Sequence, residues 1–174
     1  MLGSYVPNKG RPHFSDCYTI NGTKVTTSGQ MHRWEAFPGS FVYQDTLWAM
    51  GGLGSYNYQD NSSMIISKSG TSSPGPKLPF NVDRHTMTNI NATTSILIGG
   101  YLNGNLYSAD TFYFDHLISE WTSGPKLNKG RMHHAAGIVI DTVTGDKLLV
   151  AIGGSNQETS AEKKYRDSDR KRLG

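Results

Sequence analysis

The sequence predicts an all-β protein built from four-stranded antiparallel sheets, with one sheet for each copy of a repeat. Two observations carry this prediction. The 174 residues include 20 glycines and 10% aromatic residues, a composition typical of β proteins with many turns. In addition, three apolar runs each end in a glycine pair, at intervals of 48 and 54 residues: Gly51-Gly52, Gly99-Gly100 and Gly153-Gly154. A signal that returns at a nearly constant interval indicates a repeat architecture.

Two further markers recur with a similar period. The glycines of three short Ser- or Pro-containing segments, Gly29, Gly75 and Gly124, are 46 and 49 residues apart. His85 and His133 are 48 residues apart. We expect the recurring histidine to serve hydrogen bonding within the repeat. Three markers that share one period identify a repeating unit of about 50 residues.

Each repeat is predicted to contribute four strands. The run before each glycine pair is apolar at every position, so this strand should be buried on both faces. Its hairpin partner lies just upstream, at residues 40–44, 86–91 and 135–140. A third strand is predicted at residues 64–66 and 111–114, and a short fourth strand around Trp121.

An additional hairpin is predicted near the start of the chain. Residues 17–20 and 24–26 form two β-type runs, and Asn21-Gly22 lies between them. Asn-Gly between two such runs is the strongest short signal for a hairpin. By its place before the first complete repeat, this hairpin corresponds to the outer two strands of a unit.

The middle repeat resembles the kelch family of β-propellers. It carries Gly99-Gly100, then Phe114-Asp115, then Trp121, and then a loop with Arg131 and His133. The resemblance extends over roughly residues 15–155. It implies a kelch-type β-propeller whose blades are four-stranded antiparallel sheets. The first repeat departs from the pattern, because Ser72 stands where the second has Trp121. The third repeat loses the pattern after Gly154.

This resemblance divides the chain into an N-terminal segment at residues 1–14, a kelch-repeat region at 15–160 and a basic polar tail at 161–174. The repeat region amounts to about three blades, two of them full and two of them halves, whereas propellers typically have about four to eight. Three arrangements therefore stay open. We expect a piece of a longer protein first, a homodimer that completes a six-bladed ring second, and an open arc third.

Charge and cysteine content exclude several classes of function. The net charge of +3 resides in residues 161–174, which hold six basic and three acidic side chains. Nucleic-acid binding would depend on this tail alone, and we predict none. Cys17 is the only cysteine, so no disulfide can form within the chain. No apolar run approaches the length of a membrane span or a signal-peptide core. The compartment, cytoplasmic or extracellular as part of a larger protein, stays open.

The resemblance implies that loops at one end of the propeller bind a protein partner. The loops that lead into the first strands carry Arg33, Arg84 and Arg131. In kelch receptors, arginines at this position hold acidic peptides, because the planar guanidinium can bind a carboxylate through two hydrogen bonds. The alternative is that these arginines pair locally with neighbours such as Asp83.

Tyrosines in the loops after the glycine pairs are further candidates for partner contact. These loops span residues 53–60 and 101–108 and contain Tyr56, Tyr101 and Tyr107. Tyrosine is enriched among residues that dominate binding energy. The alternative is ordinary packing at the rim of a central channel.

No catalytic, cofactor or metal-binding residues are predicted. Adjacent residues in a strand point to opposite faces, so His133 and His134 cannot both reach one ion. Copper oxidases with this propeller use a Tyr–Cys cross-link, but Cys17 lies in a predicted outer strand. We therefore predict a protein–protein interaction module that is not an enzyme. The alternative is a fragment of a galactose-oxidase-like, carbohydrate-active propeller.

Overall fold

The fold is all-β, as the sequence predicts. A computed structural model describes residues 16–21, 23–30, 37–54, 59–103 and 106–156. These residues form fourteen strands, all paired antiparallel, and no helix. It follows that this part of the chain has no helix long and apolar enough to cross a membrane. The strands assemble into two four-stranded sheets and three two-stranded hairpins.

The first complete repeat forms sheet 1. Its strands lie in sequence order in the sheet: β3 (Gly39–Tyr43), β4 (Thr46–Leu53), β5 (Gln59–Ile66) and β6 (Ser72–Pro74). The β3–β4 connection is a two-residue turn in which Gln44 and Asp45 both have positive φ, 46° and 58°. This turn geometry matches the twist of a hairpin and tolerates a short polar residue such as Asp.

The second complete repeat forms sheet 2 with the same strand order. Its strands are β7 (Thr86–Asn89), β8 (Thr94–Ile98), β11 (Thr111–Asp115) and β12 (Glu120–Ser123). In its register Trp121 lies opposite Phe114, whereas in sheet 1 Ser72 lies opposite Ile66. Because Ile66 and Phe114 occupy the same place in their sheets, the sequence correctly equated Ser72 with Trp121.

The second repeat also contains a short hairpin outside sheet 2, in a segment that was predicted to be a loop. Strands β9 (Tyr101–Leu102) and β10 (Leu106–Tyr107) pair with each other after the glycine pair. Two residues per strand are too few to give a periodic sequence signal, which explains the omission.

The chain also forms two larger hairpins outside the two sheets. The first hairpin consists of β1 (Asp16–Asn21) and β2 (Lys24–Gln30), and the last hairpin of β13 (Ala135–Ile140) and β14 (Lys147–Ile152). Both were predicted from the sequence. The last hairpin corresponds to the first two strands of a repeat, because it precedes the third glycine pair in the same way as β3–β4 and β7–β8.

Aromatic side chains fill the space between sheets 1 and 2. Phe41 and Trp48 of sheet 1 are 6% and 8% exposed, and Phe114 of sheet 2 is fully buried. The ring of His116 stacks on Phe41 at a centroid distance of 4.9 Å, and its Nε2 lies 2.8 Å from Oγ of Ser95. Large apolar rings packed across two sheets supply much of the favourable free energy of burial.

The last hairpin packs on the other face of sheet 2, where β13 lies beside β7. Here one prediction is wrong. The runs before the first two glycine pairs are buried, but β14 is not: Leu148 is 49% exposed and Ile152 is 61% exposed. The reason is tertiary, because within the described residues no strand pairs with the outer edge of β14 and no further sheet covers it.

The glycine pairs join one repeat to the next through backbone contacts. The amide of Gly52 donates to the carbonyl oxygen of Val82 at 2.8 Å, and the amide of Gly100 donates to that of Arg131 at 2.8 Å. Gly99 and Gly100 have φ of 61° and 105°. A Cβ on Gly100 would lie 2.5 Å from Cγ2 of Val82. Conformation and close approach therefore both require glycine here.

The Gly100→Ala variant should lose about 2–4 kcal/mol of unfolding free energy, since it combines backbone strain with a steric collision. The matched control is Gly145→Ala. Gly145 also has positive φ, 78°, but a Cβ there meets nothing within 4 Å, so only about 1–2 kcal/mol of strain is expected. Urea unfolding of both variants measures the difference. Equal losses in the two variants would contradict the proposed role of close backbone approach.

Candidate functional site

The segments that lead into the first strand of each repeat meet at one end of the sheets. Phe37, Arg84 and His133 occupy equivalent positions, two residues before β3, β7 and β13. All three have left-handed backbone conformation, with φ between 54° and 57°. The amide of Arg84 donates to the carbonyl of Phe37 at 3.1 Å, and the amide of His133 donates to that of Arg84 at 3.0 Å. Successive repeats are therefore linked at this end by a ladder of main-chain hydrogen bonds.

Aromatic rings surround the guanidinium of Arg84. Its Cζ lies 4.9 Å from the ring centroid of Phe37 and 5.4 Å from that of Tyr101. Tyr101 in turn packs edge-on against Tyr107 at 5.8 Å, and Phe37 packs against His133 at 5.5 Å. We call these five residues the loop-end cluster. Cation–π contacts of this kind hold an arginine in place and add to stability.

The buried side chain of Asp83 supports the loop-end cluster through its contacts with Arg84 and Gln59. Its carboxylate is fully buried, forms an ion pair with Arg84 and accepts a hydrogen bond from Nε2 of Gln59 at 2.7 Å. The same Gln59 nitrogen donates to the carbonyl of Tyr101 at 2.7 Å. Burial raises the pKa of Asp83, while Gln59 and Arg84 oppose this rise. The guanidinium of Arg84 stays beside this carboxylate, because its removal would leave an uncompensated buried charge.

The three predicted arginines do not occupy one repeat position. By register Arg84 corresponds to His133, whereas Arg131 corresponds to Val82. Nη1 of Arg131 donates to the carbonyls of Ala151 and Gly153, at 3.3 and 3.1 Å. The side chain of Arg131 therefore stabilises the last hairpin. Arg84 forms an ion pair with Asp83, which is the local pairing that was the alternative to partner binding.

The remaining candidates fall into three groups. Tyr101 and Tyr107 lie together in the loop-end cluster, half-buried, beside Arg84. Arg33 and Tyr56 lie outside the described residues. Asp115 and Trp121 lie in sheet 2, where Nε1 of Trp121 donates to the carbonyl of Lys77 at 3.1 Å. This bond ties β12 to the segment between the sheets, so Trp121 supports the fold.

Sequence reasoning missed Phe37 and His133 as members of the site. A sequence signal was present, because each of these residues directly precedes the residue of its own repeat that corresponds to His85. The signal was hidden because the number of residues between that position and the glycine pair differs between repeats. The longer β13–β14 hairpin lengthens that interval in the third.

The recurring histidine is His85 and His134, not His85 and His133 as the period of 48 suggested. Both precede the first strand of their repeat directly and are buried, at 5% and 7% exposure. A Cβ on Gly51 would lie 3.0 Å from Cε1 of His85, and one on Gly99 would lie 3.1 Å from Cε1 of His134. Each imidazole therefore packs against the first glycine of the preceding pair.

Packing explains these histidines better than the predicted hydrogen bonding does. Within the described residues neither ring nitrogen of His85 has a hydrogen-bond partner. Nε2 of His134 lies 3.0 Å from Oγ1 of Thr86, and its Nδ1 has none in the same region. Burial lowers the pKa of His85 to about 3 and that of His134 to about 4. Both side chains are therefore neutral at pH 7. The described part of the chain contains no group of three or more His, Cys, Asp or Glu residues that could hold a metal ion.

Comparison with known proteins gives a likeness in fold alone. No protein-family model and no curated protein sequence matches the chain. Among similar solved structures is one titled "Structure of YjhT", with a TM-score of 0.65 and 14% sequence identity. The alignment covers 79% of this chain and 52% of that one. The chain therefore spans about half the length of this structural neighbour.

Stability should fall as the pH is lowered from 6.5 toward 4. In the unfolded chain the histidines bind protons near their ordinary pKa of 6.5, whereas folded His85 and His134 stay neutral until about pH 3 and 4. The unfolded state therefore binds more protons in this window, and each histidine should cost about 2 kcal/mol at pH 5. Urea unfolding at pH 7.5 and pH 5 measures the loss.

The matched variant is His85→Gln, which removes one titrating group. Its unfolding free energy should depend on pH less steeply than that of the unmodified chain, whatever its absolute stability. An unchanged pH dependence would show that His85 binds protons equally in both states.

Proposed function

We propose that the chain forms part of a kelch-type β-propeller and binds a segment of a protein partner through the loop-end cluster. In this proposal sheets 1 and 2 are complete blades, and the first and last hairpins are half-blades. The proposal is supported by the recurrence of glycine pairs that contact the next repeat. It is also supported by the sequential order of four strands in each sheet.

The binding role is inferred from the aromatic composition of the loop-end cluster and from the fixed positions of its side chains. Phe37 is 36% exposed and His133 is also exposed, while Tyr101 and Tyr107 present partly buried rings beside them. Such a surface offers aromatic anchors whose positions are fixed before binding. Preorganised aromatic side chains lose little conformational entropy when a partner binds, and they dominate binding energy at many interfaces.

Arg84 gives this surface its chemical preference. Its guanidinium has five N–H donors in a planar fork, and Nη1 is directed at Asp83. Its side chain remains 21% exposed between Phe37 and Tyr101. A carboxylate of the partner would approach from the exposed side of the fork. The proposed partner segment is therefore acidic and carries an apolar residue that packs on the rings.

Binding fits the cluster better than catalysis does. Asp83, the carboxylate at the base of the cluster, is fully buried and occupied by Gln59 and Arg84. A general base must reach the proton that it removes from a substrate. The role of Asp83 is instead to hold Arg84 in a fixed position.

The test uses peptides selected from a phage-displayed random library on the immobilised chain. Phe37→Ala combined with Tyr107→Ala should weaken the affinity of the selected peptides at least about tenfold, since each lost anchor costs more than 1 kcal/mol. Fluorescence anisotropy with labelled peptides measures the affinity. We expect the selected sequences to be enriched in Asp or Glu beside an apolar residue.

The control is Val143→Ala in the β13–β14 turn. Val143 is 91% exposed and lies at the opposite end of the hairpin from the glycine pair. This variant should bind the peptides with unchanged affinity. Equal binding by the double variant and the unmodified chain would refute the loop-end cluster as the binding site.

A further inference from the structure

The last hairpin, β13–β14, has the place in its repeat that β7 and β8 have in sheet 2. In sheet 2 the strand that leads into the glycine pair, β8, pairs with β7 on one side and with β11 on the other. Its counterpart β14 pairs with β13 alone among the described residues. Apart from the carbonyl of Ala151, which accepts a hydrogen bond from Nη1 of Arg131, the outer edge of β14 has amide and carbonyl groups that no described strand pairs with. Such an edge is a template for pairing with another chain.

The last hairpin also presents an apolar face. Val139, Leu148 and Ile152 lie on one face and are 51%, 49% and 61% exposed. A Cβ on Gly137, in the middle of this face, would meet nothing within 4 Å. The counterpart of Ile152 in sheet 2 is Ile98, which is fully buried against the next repeat. The exposed face is thus the one that each earlier repeat uses to pack on its successor.

The first hairpin is the complementary half. It provides two paired strands, β1 and β2, which correspond to the third and fourth strands of a sheet. Strand β1 has six residues, the same number as β14. The hairpin also carries exposed apolar side chains, since Tyr18 is 48% exposed and Val25 is 59% exposed. Within the part of the chain that the structure describes, the first and last hairpins therefore correspond to the two halves of one four-stranded sheet.

We propose that the first hairpin of a second copy of this chain pairs with β14, so that two chains complete each other in a closed dimer. Two sheets and two half-sheets per chain give six four-stranded sheets in the pair. One copy matches 52% of the structural neighbour, about half of its length. The proposal goes beyond partner binding and does not depend on it.

The repeat equivalences fix the register of the shared sheet. In sheet 2 the amide of Gly124 donates to the carbonyl of Thr111, and Thr111 lies opposite Ile98. Gly29 is the counterpart of Gly124 and lies opposite Cys17 in the first hairpin. Cys17 of one copy should therefore lie opposite Ile152 of the other. Residues directly opposite in antiparallel strands are about 4.5–5.5 Å apart between Cα atoms, within the range of a disulfide.

The test combines solution mass with a disulfide trap on the full chain. Light scattering should give twice the chain mass of 19.1 kDa for the unmodified protein. Ile152→Cys, oxidised with diamide, should run as a covalent dimer on a non-reducing gel and return to the monomer position with reductant. Ile152 is exposed, so the substitution leaves the buried core intact.

Two matched control variants show whether the disulfide forms between the predicted pair of residues. Ala151→Cys lies one residue away on β14 and points to the opposite face, so it should give no covalent dimer. Ile152→Cys combined with Cys17→Ser should also give none. A monomeric mass would overturn the proposal, as would a disulfide within one chain or a dimer that Ile152→Cys does not trap. Peptide binding at the loop-end cluster is a separate measurement, so either proposal can fail while the other stands.

Discussion

The rest of the structure depends on one contact, the hydrogen bond from the second glycine of each of the first two glycine pairs to a carbonyl oxygen of the following repeat. Gly52 reaches Val82 and Gly100 reaches Arg131 in the same way. This approach sets the distance between successive repeats, and at that distance Phe41 and Trp48 can pack against Phe114. It also leaves room for one imidazole against the first glycine of each of these two pairs, that of His85 at Gly51 and that of His134 at Gly99. A Cβ on Gly51 or Gly99 would lie 2.7 Å from a carbonyl oxygen of the following repeat, so a side chain at these two positions would push the repeats apart.

The same contact produces the loop-end cluster. Because successive repeats are held in register, the residues before their first strands meet and form a second ladder, from Phe37 through Arg84 to His133. The buried carboxylate of Asp83 then fixes the guanidinium between two rings. The proposed binding surface is thus a consequence of repeat packing. The open edge of the last hairpin follows from the same rule, since its exposed face is the one that each repeat offers to the next.

Much of the fold could be predicted from the sequence because its signals are local. Glycine pairs after apolar runs, the first hairpin and the correspondence of Ser72 with Trp121 depend on spacing within one repeat, and the strand registers bear them out. The register pairs Asn21 with Lys24 as the last pair of the first hairpin, and Gly22 lies outside the described residues. The site was harder to predict, because its members come from three repeats of unequal length. A constant period of 48 selects His133, whereas the register selects His134. The sequence also groups Arg131 with Arg84, although the register places Arg131 two residues before the counterpart of Arg84 and its guanidinium bonds to Ala151 and Gly153. The exposure of β14 depends on what lies beside it, which its own apolar sequence does not encode.

Amide hydrogen exchange at Gly52 and Gly100, followed by NMR, shows directly whether the glycine pairs hold the repeats together. Both amides are donors to the next repeat, so they should exchange only when the repeats separate. We expect rates more than about 1,000-fold slower than in an unfolded peptide, similar to those of the buried strand β8. Exchange at the rate of an unprotected loop, while β8 remains protected, would show that the glycine pairs do not hold the repeats together.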